Sequence, residues 1–305
     1  MDGGTAAARI HVEIDAPDAL DVLAAHVEAL AHVPGFEAQL VAFAQNGITG
    51  EPGVLSRMRA ALDGPAQVVG GCPYTDRDPL RHLDTVAGLA AERGAPLDLH
   101  IDLGDDPAES LLGPAIEAVA RHGLSGRATF GHVSTLAAMP RRQAADTARL
   151  LRDAGIAVVA IPTTDLWLSG RGDVPSRGVT RMAVLRANGV DVALASNNHV
   201  NAFTPISPAS LLHVAQLASV ACHLGSPEEQ RALLDAVTRV PARIVGSAVP
   251  DAPRIGAPAT SCWWTRPTRS RPSGWRRRWR GSVVRGKLHE PARRRPRTEP
   301  ERWTR

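Results

Sequence analysis

Pro-Leu-Asp-Leu-His, residues 96–100, and Arg-Ala-Thr-Phe-Gly-His, residues 127–132, are two short apolar runs that each end on a histidine. Each run predicts a buried strand, and each is followed by an amphipathic helical pattern. Strands that alternate with crossover helices form a parallel sheet with right-handed connections. If that sheet closes, the C-terminal strand ends meet at one mouth, and barrels of this kind carry their chemistry there. His100 and His132 then face one point.

The same alternation extends in both directions. Further apolar runs lie at residues 9–14, 38–45, 66–72, 156–162 and 190–196. Helical patterns follow at 17–33, 53–63, 79–94, 107–123, 141–154, 179–188 and 208–239. Seven strand–helix units predict a (β/α)8 TIM-type barrel that is one unit short. The expectation is a barrel lacking its first strand and any small β-domain ahead of it. The stretch from Asp165 to Arg171, after the sixth run, reads as a loop. Asp15, just ahead of the first helical pattern, reads as that helix's N-cap.

Composition supports one large α/β domain. The 305 residues are 44% apolar, ample for a core, and only 4% aromatic. The three cysteines, Cys72, Cys222 and Cys262, are widely spaced and form no Cys-x-x-Cys pair. Neither a disulfide framework nor a zinc ribbon is indicated. No apolar run reaches membrane-spanning length and no signal-peptide pattern opens the chain, so the expected location is the cytoplasm.

The net charge of +4 conceals a division. Residues 253–305 hold 16 basic and 3 acidic side chains, whereas residues 1–252 hold 19 basic and 28 acidic. Five of the six tryptophans also lie in that tail, and 34 of the 35 basic Lys and Arg residues of the chain are arginine. The domain reading is therefore a barrel over 1–252 and a basic Arg/Trp/Pro-rich tail over 253–305. The tail's composition is that of a disordered segment or of a GC-rich gene read out of frame. Arginines interleaved with tryptophans could also pair phosphates and stack bases, but nucleic acid is not the expected partner.

Several stretches, in order, resemble the cytosine-deaminase-like branch of the amidohydrolase superfamily across residues 8–246. They are Leu-Val-Ala-Phe-Ala-Gln-Asn-Gly-Ile (40–48), Asp-Leu-His-Ile-Asp (98–102), Gly-His-Val-Ser (131–134) and Ala-Gly-Ile-Ala-Val-Val-Ala-Ile-Pro-Thr-Thr-Asp-Leu-Trp-Leu-Ser-Gly-Arg (154–171). Pro-Ser-Arg-Gly-Val-Thr-Arg (175–181) and Ser-Asn-Asn-His-Val-Asn-Ala-Phe-Thr-Pro (196–205) complete the set.

The resemblance implies a metal-dependent hydrolase of non-peptide C–N bonds, similar to deaminases of cyclic amidines. Its cofactor would be a divalent metal, zinc or iron, and its substrate a small nitrogen heterocycle. No membrane partner is implied, and a homo-oligomer is compatible. Carried over by position, His100 and His132 are metal-site groups and Asn197 stands where the family has its last metal ligand, an aspartate. His132, Asp102 and Asn197 are the catalytic candidates. Gln45 matches the family's substrate-binding glutamine, and Arg171 lies on a stretch expected to line the pocket. The family's proton-shuttling glutamate falls on Leu103, and its first-strand His-x-His pair has no counterpart. The sole lysine, Lys287, lies in the tail, so no carboxylated-lysine bridge between two metals is available.

These departures keep other readings open. Leucine carries no proton, and asparagine ligates without charge. A non-catalytic or fragmentary barrel without metal is one alternative, and a nucleic-acid binder built on the tail is the other.

Overall fold

The computed structural model describes residues 4–171, 176–207 and 210–247, with backbone alone for 261–264, 279–284 and 287–289. Seven parallel strands hydrogen-bond in sequence order: β1 (Ala7–Glu13), β2 (Glu37–Ala44), β3 (Val68–Gly71), β4 (Leu97–Ile101), β5 (Ala128–His132), β6 (Ala157–Ala160) and β7 (Val192–Leu194). Helices α1 (Ala19–Ala31), α2 (Pro52–Asp63), α3 (Pro79–Arg93), α4 (Leu112–Arg121) and α5 (Arg141–Asp153) connect the first six. Between β6 and β7 come α6 (Pro162–Leu168) and α7 (Met182–Ala187). After β7 follow α8 (Leu211–Ala221), α9 (Pro227–Ala236) and α10 (Arg239–Ile244).

The seven expected strands are all present. Two expectations about the connections are corrected. Asp165 to Leu168, expected in a loop, belong to helix α6, which begins at Pro162, whose fixed φ and missing N–H suit a first helical position. The helical stretch expected over 208–239 is divided into α8 and α9, with Gly225-Ser226 in the break between them and α10 beginning at its end.

Strand alternation sorts the side chains. Ile10, Val12, Leu40, Ala42, Leu97, Leu99, Phe130 and Val158 belong to the main core beneath the helices. Val41, Phe43, Val68 and Cys72 form a second buried cluster on the other face. That inner face also carries Arg9, His11, Asp98 and His100. In a flat sheet, β1 and β4 would lie three strand spacings apart, about 14 Å. Yet the Arg9 Nη1 to Asp98 Oδ2 distance is 2.7 Å, and the His11 and His100 ring centroids are 4.8 Å apart. The sheet therefore curls until its inner side chains meet across the interior.

Gly70 is required on that face. A Cβ there would lie 2.6 Å from Val41 Cγ1 and 2.7 Å from both the Asp98 carbonyl oxygen and Phe43 Cδ2. The curl stops short of closure, because no ladder joins β7 to β1 among the described residues. The fold is the α/β arrangement of TIM-type barrels, one strand short of a closed eight.

In the tail, three short strands, β8 (Ser261–Trp264), β9 (Trp279–Val284) and β10 (Lys287–His289), pair antiparallel in the order β10-β9-β8. The other expectations for residues 253–305 fall outside the described residues.

Candidate active site

Strand parity places the first functional group. Asp98 and His100 share the inward face of β4, and His100 ends up 8% exposed. Its ring is enclosed by three others: Phe43 at 4.7 Å, His11 at 4.8 Å and His132 at 4.8 Å between centroids. Neither of its nitrogens hydrogen-bonds to a described residue. Burial, together with the neighbouring His11 and His132 imidazoles, pushes its pKa well below the ordinary histidine value. His100 is therefore a neutral imidazole with a lone pair to offer.

His132 reaches the same place by a different route. On β5, Ala128 and Phe130 face the helices, so parity alone would send His132 outward too. Instead its φ is +70°, and Val133 follows at +52°. Left-handed backbone is costly for such residues and gathers at functional sites. The chain leaves strand geometry and turns the ring back over the sheet's C-terminal edge. Two bonds hold the turn, from Val133 N to the Ile101 oxygen at 3.0 Å and from Ser134 N to the Asp102 oxygen at 2.9 Å. His132 Nδ1 lies 2.7 Å from Asp165 Oδ1, with the two side chains 1% and 0% exposed.

Below these rings lies a charged layer. Asp98 bonds Arg9 at 2.7 Å and His11 Nε2 at 3.1 Å. Arg9 also reaches Thr129 Oγ1 at 3.3 Å and the Gln39 side chain at 3.0 Å. Burial would raise the Asp98 carboxyl, but the adjacent His11 and Arg9 outweigh it and hold it below the usual carboxylate range. A cavity of about 500 Å³ opens at the N-terminal end of the strands, lined in part by Arg9, Arg127, Arg152 and Arg243. It lies at the opposite end from His132.

The other expected residues distribute unevenly. Gln45 follows β2, and Asp15 fixes its backbone. The Asp15 carboxylate accepts from the Gln45 and Asn46 amides, each at 2.9 Å. Asp15 is thus not the expected N-cap; Asp18 occupies that position at α1, without a side-chain cap bond. Thr75 Oγ1 donates to the Gln45 carbonyl at 2.5 Å, and the Gln45 side chain lies beside the buried Cys72 thiol.

Asp102 also has left-handed backbone, at φ +56°. Its carboxylate accepts from Ser110 Oγ at 2.5 Å, Thr135 Oγ1 at 2.6 Å and Leu111 N at 2.8 Å. Burial pushes its pKa up against those three bonds. Asn197 is half-buried just beyond β7, and its side chain bonds no described residue. Arg171 is exposed, its guanidinium 5.1 Å from the Trp167 ring centroid. The structure thus brings His100 and His132 together and adds His11, Phe43 and Asp165 to them. His11 was visible as the third residue of the first apolar run. Asp165 was visible only as an acid on a supposed loop.

Among the described residues, no three His, Cys, Asp or Glu side chains are disposed to hold a metal ion. His100 and His132 offer two imidazoles, and His132 is already committed through Nδ1. A catalytic divalent metal usually takes three protein ligands. The described residues therefore do not make a complete site for one.

A model described as "Amidohydrolase family" matches residues 23–259. The chain belongs to that family. It is 36% identical to a pterin deaminase of Rhizobium rhizogenes over 197 residues, 63% of this chain and 44% of that protein. It is 26% identical to an N-isopropylammelide isopropyl amidohydrolase of Pseudomonas sp. over 247 residues, 80% of this chain and 58% of that protein. The chain thus spans about half the length of these curated relatives. Among solved structures, a 5-methylcytosine deaminase from Klebsiella pneumoniae liganded with 5-fluorocytosine superposes with a TM-score of 0.81 at 26% identity. That superposition covers 99% of this chain and 73% of the deaminase. No helix among the described residues is long and apolar enough to cross a membrane.

Proposed function

We propose that this chain carries the greater part of a cytoplasmic amidohydrolase site that hydrolyses an exocyclic C–N bond of a small nitrogen heterocycle. In such a reaction water adds to a ring carbon, the C–N bond breaks, and the nitrogen departs as ammonia or an amine with a proton from that water. One observation carries the reading. A nearly buried, unpartnered, neutral imidazole, His100, stands 4.8 Å from a second imidazole at the C-terminal mouth of a curled parallel sheet. Its ring nitrogens have no hydrogen-bond partner among the described residues and are free to meet a ligand. The family membership and the deaminase relatives agree with that use.

In this proposal His100 and His132 present ring nitrogens to the reacting end of the ligand, Gln45 meets its ring edge, and Arg171 lies farther out on the rim. Asn197 occupies the last position around the mouth. Asp102 neighbours Leu103, where the family's proton carrier would stand, but its carboxylate is already held by three donors. Zinc or iron would find two imidazoles and an amide here, short of the ligand set that holds such ions tightly. That shortfall favours a second reading, a barrel that binds heterocycles without turning them over.

The test is ammonia or amine release from pterin, cytosine, 5-methylcytosine and N-isopropylammelide by the full chain, with and without added zinc or iron(II), beside calorimetric binding of the same compounds. Turnover lost in His100→Ala supports the hydrolase. Binding that needs His100 without turnover supports the second reading. Neither binding nor turnover refutes both.

A further inference from the structure

The pairing of Asp165 with His132 has the geometry of a device that fixes a proton. The carboxylate is completely buried, and its two oxygens have different partners. Oδ1 lies 2.7 Å from His132 Nδ1, and Oδ2 accepts from the Ile161 amide at 3.0 Å. The Asp165 amide bonds back to the Ile161 carbonyl at 2.9 Å, so the side chain sits on a closed turn at the start of α6. Two further contacts tie down α6 and the residue that follows it. Thr164 Oγ1 meets Thr204 Oγ1 at 2.6 Å, and Ser169 Oγ meets Ser134 Oγ at 3.2 Å. The His132 ring is turned toward this carboxylate by left-handed backbone at two successive residues. Its Nε2 has no partner among the described residues.

We infer that Asp165 is a positioning residue that holds His132 as the tautomer protonated on Nδ1, leaving the Nε2 lone pair as the acceptor presented at the mouth beside His100. A carboxylate accepts only, so the facing nitrogen must carry the proton. The opposite tautomer would set a lone pair against a carboxylate oxygen at 2.7 Å in a dry interior, where unpaired polar groups are most costly. A carboxylate behind an imidazole fixes ring orientation and tautomer in this way at catalytic and metal sites. The use of that lone pair on a ligand rests on the proposed hydrolase or binding site; the tautomer itself does not.

Asparagine at position 165 makes the inference sharp. The Ile161 amide can only donate, so it requires the asparagine carbonyl. The NH2 is then left facing His132 Nδ1 and demands a lone pair there. Asp165→Asn therefore inverts the tautomer, as amide-for-carboxylate replacement behind a catalytic imidazole does elsewhere.

The experiment is a long-range proton–nitrogen correlation spectrum of the full chain labelled with 15N-histidine, at neutral pH and without ligand. The His132 ring is assigned as the signal lost in His132→Gln. The expected wild-type pattern is protonated Nδ1 and unprotonated Nε2, exchanged in Asp165→Asn. A protonated Nε2 in the wild type overturns the inference, and so does an unchanged pattern in a folded Asp165→Asn. A residue that merely packed would alter stability and leave the nitrogen pattern alone. Should Asp165→Asn fail to fold by circular dichroism, the wild-type spectrum alone decides. Failure of the heterocycle assays leaves this readout untouched, so the two failures are distinguishable.

Discussion

At the residue scale, the interior of the curled sheet holds a layer of paired charges beside its apolar clusters. Asp98 is the hinge of that layer, since Arg9 and His11 both end on its carboxylate. Removing one partner of a buried pair costs more than the pair contributes, because the other charge is stranded. Asp98→Asn is expected to destabilise the fold by about 3–5 kcal/mol in urea unfolding.

The same residue predicts a pH dependence. Its carboxyl is held low in the folded state, so its contribution is fully present above the unfolded carboxylate value of about 4. That contribution disappears as pH falls through the lower, folded value. As pH falls below about 4 the wild type should therefore lose stability more steeply than Asp98→Asn, read as the difference between two acid titrations of unfolding free energy. These pairings were not legible in the chain. Arg9 and Asp98 are 89 positions apart, and only the curl makes them neighbours.

At the element scale, the ends of β4 and β5 do the positioning. Asp102, His132 and Val133 all have left-handed backbone there. Hydrogen bonds to the Asp102 carboxylate and carbonyl tie the loop after β4 to the turn after β5. Asp102→Ala should release the Leu111 amide and cost about 1–3 kcal/mol for donors left without an acceptor. The expected result is faster hydrogen exchange at that amide, with the strand amides of β4 still protected. Protection unchanged at Leu111 would show that the carboxylate does not brace the loop.

The strands themselves were legible, because buried parallel strands are short continuous apolar runs with turn residues on both sides. Helix α6 was not. Seven residues that begin Pro-Thr-Thr carry too little helical period to outweigh a loop reading, and burial of Asp165 against His132 is a tertiary event.

For the whole molecule, the consequential feature is the interrupted ring. The β1 and β7 edges pair with no other described strand. The nearby helices also expose apolar side chains: Leu20, Val22 and Val27 on α1, and Leu212, Leu217 and Val220 on α8. Unpaired strand edges and apolar patches promote association. The mass measured by light scattering should rise with protein concentration, and dye binding to exposed apolar surface should fall in parallel. A concentration-independent monomer would refute this.

The sequence by itself determined the number and order of the strand–helix units, and the strand ends that would carry imidazoles. Those follow from local periodicity and apolar runs. It could not determine that His132 turns inward against strand parity, that Asp165 stands behind it, or that His11, Phe43 and His100 share one wall. Each of these depends on how far the sheet curls and where a strained turn redirects a ring. Such distances are set by packing between residues remote in sequence, which no local pattern encodes.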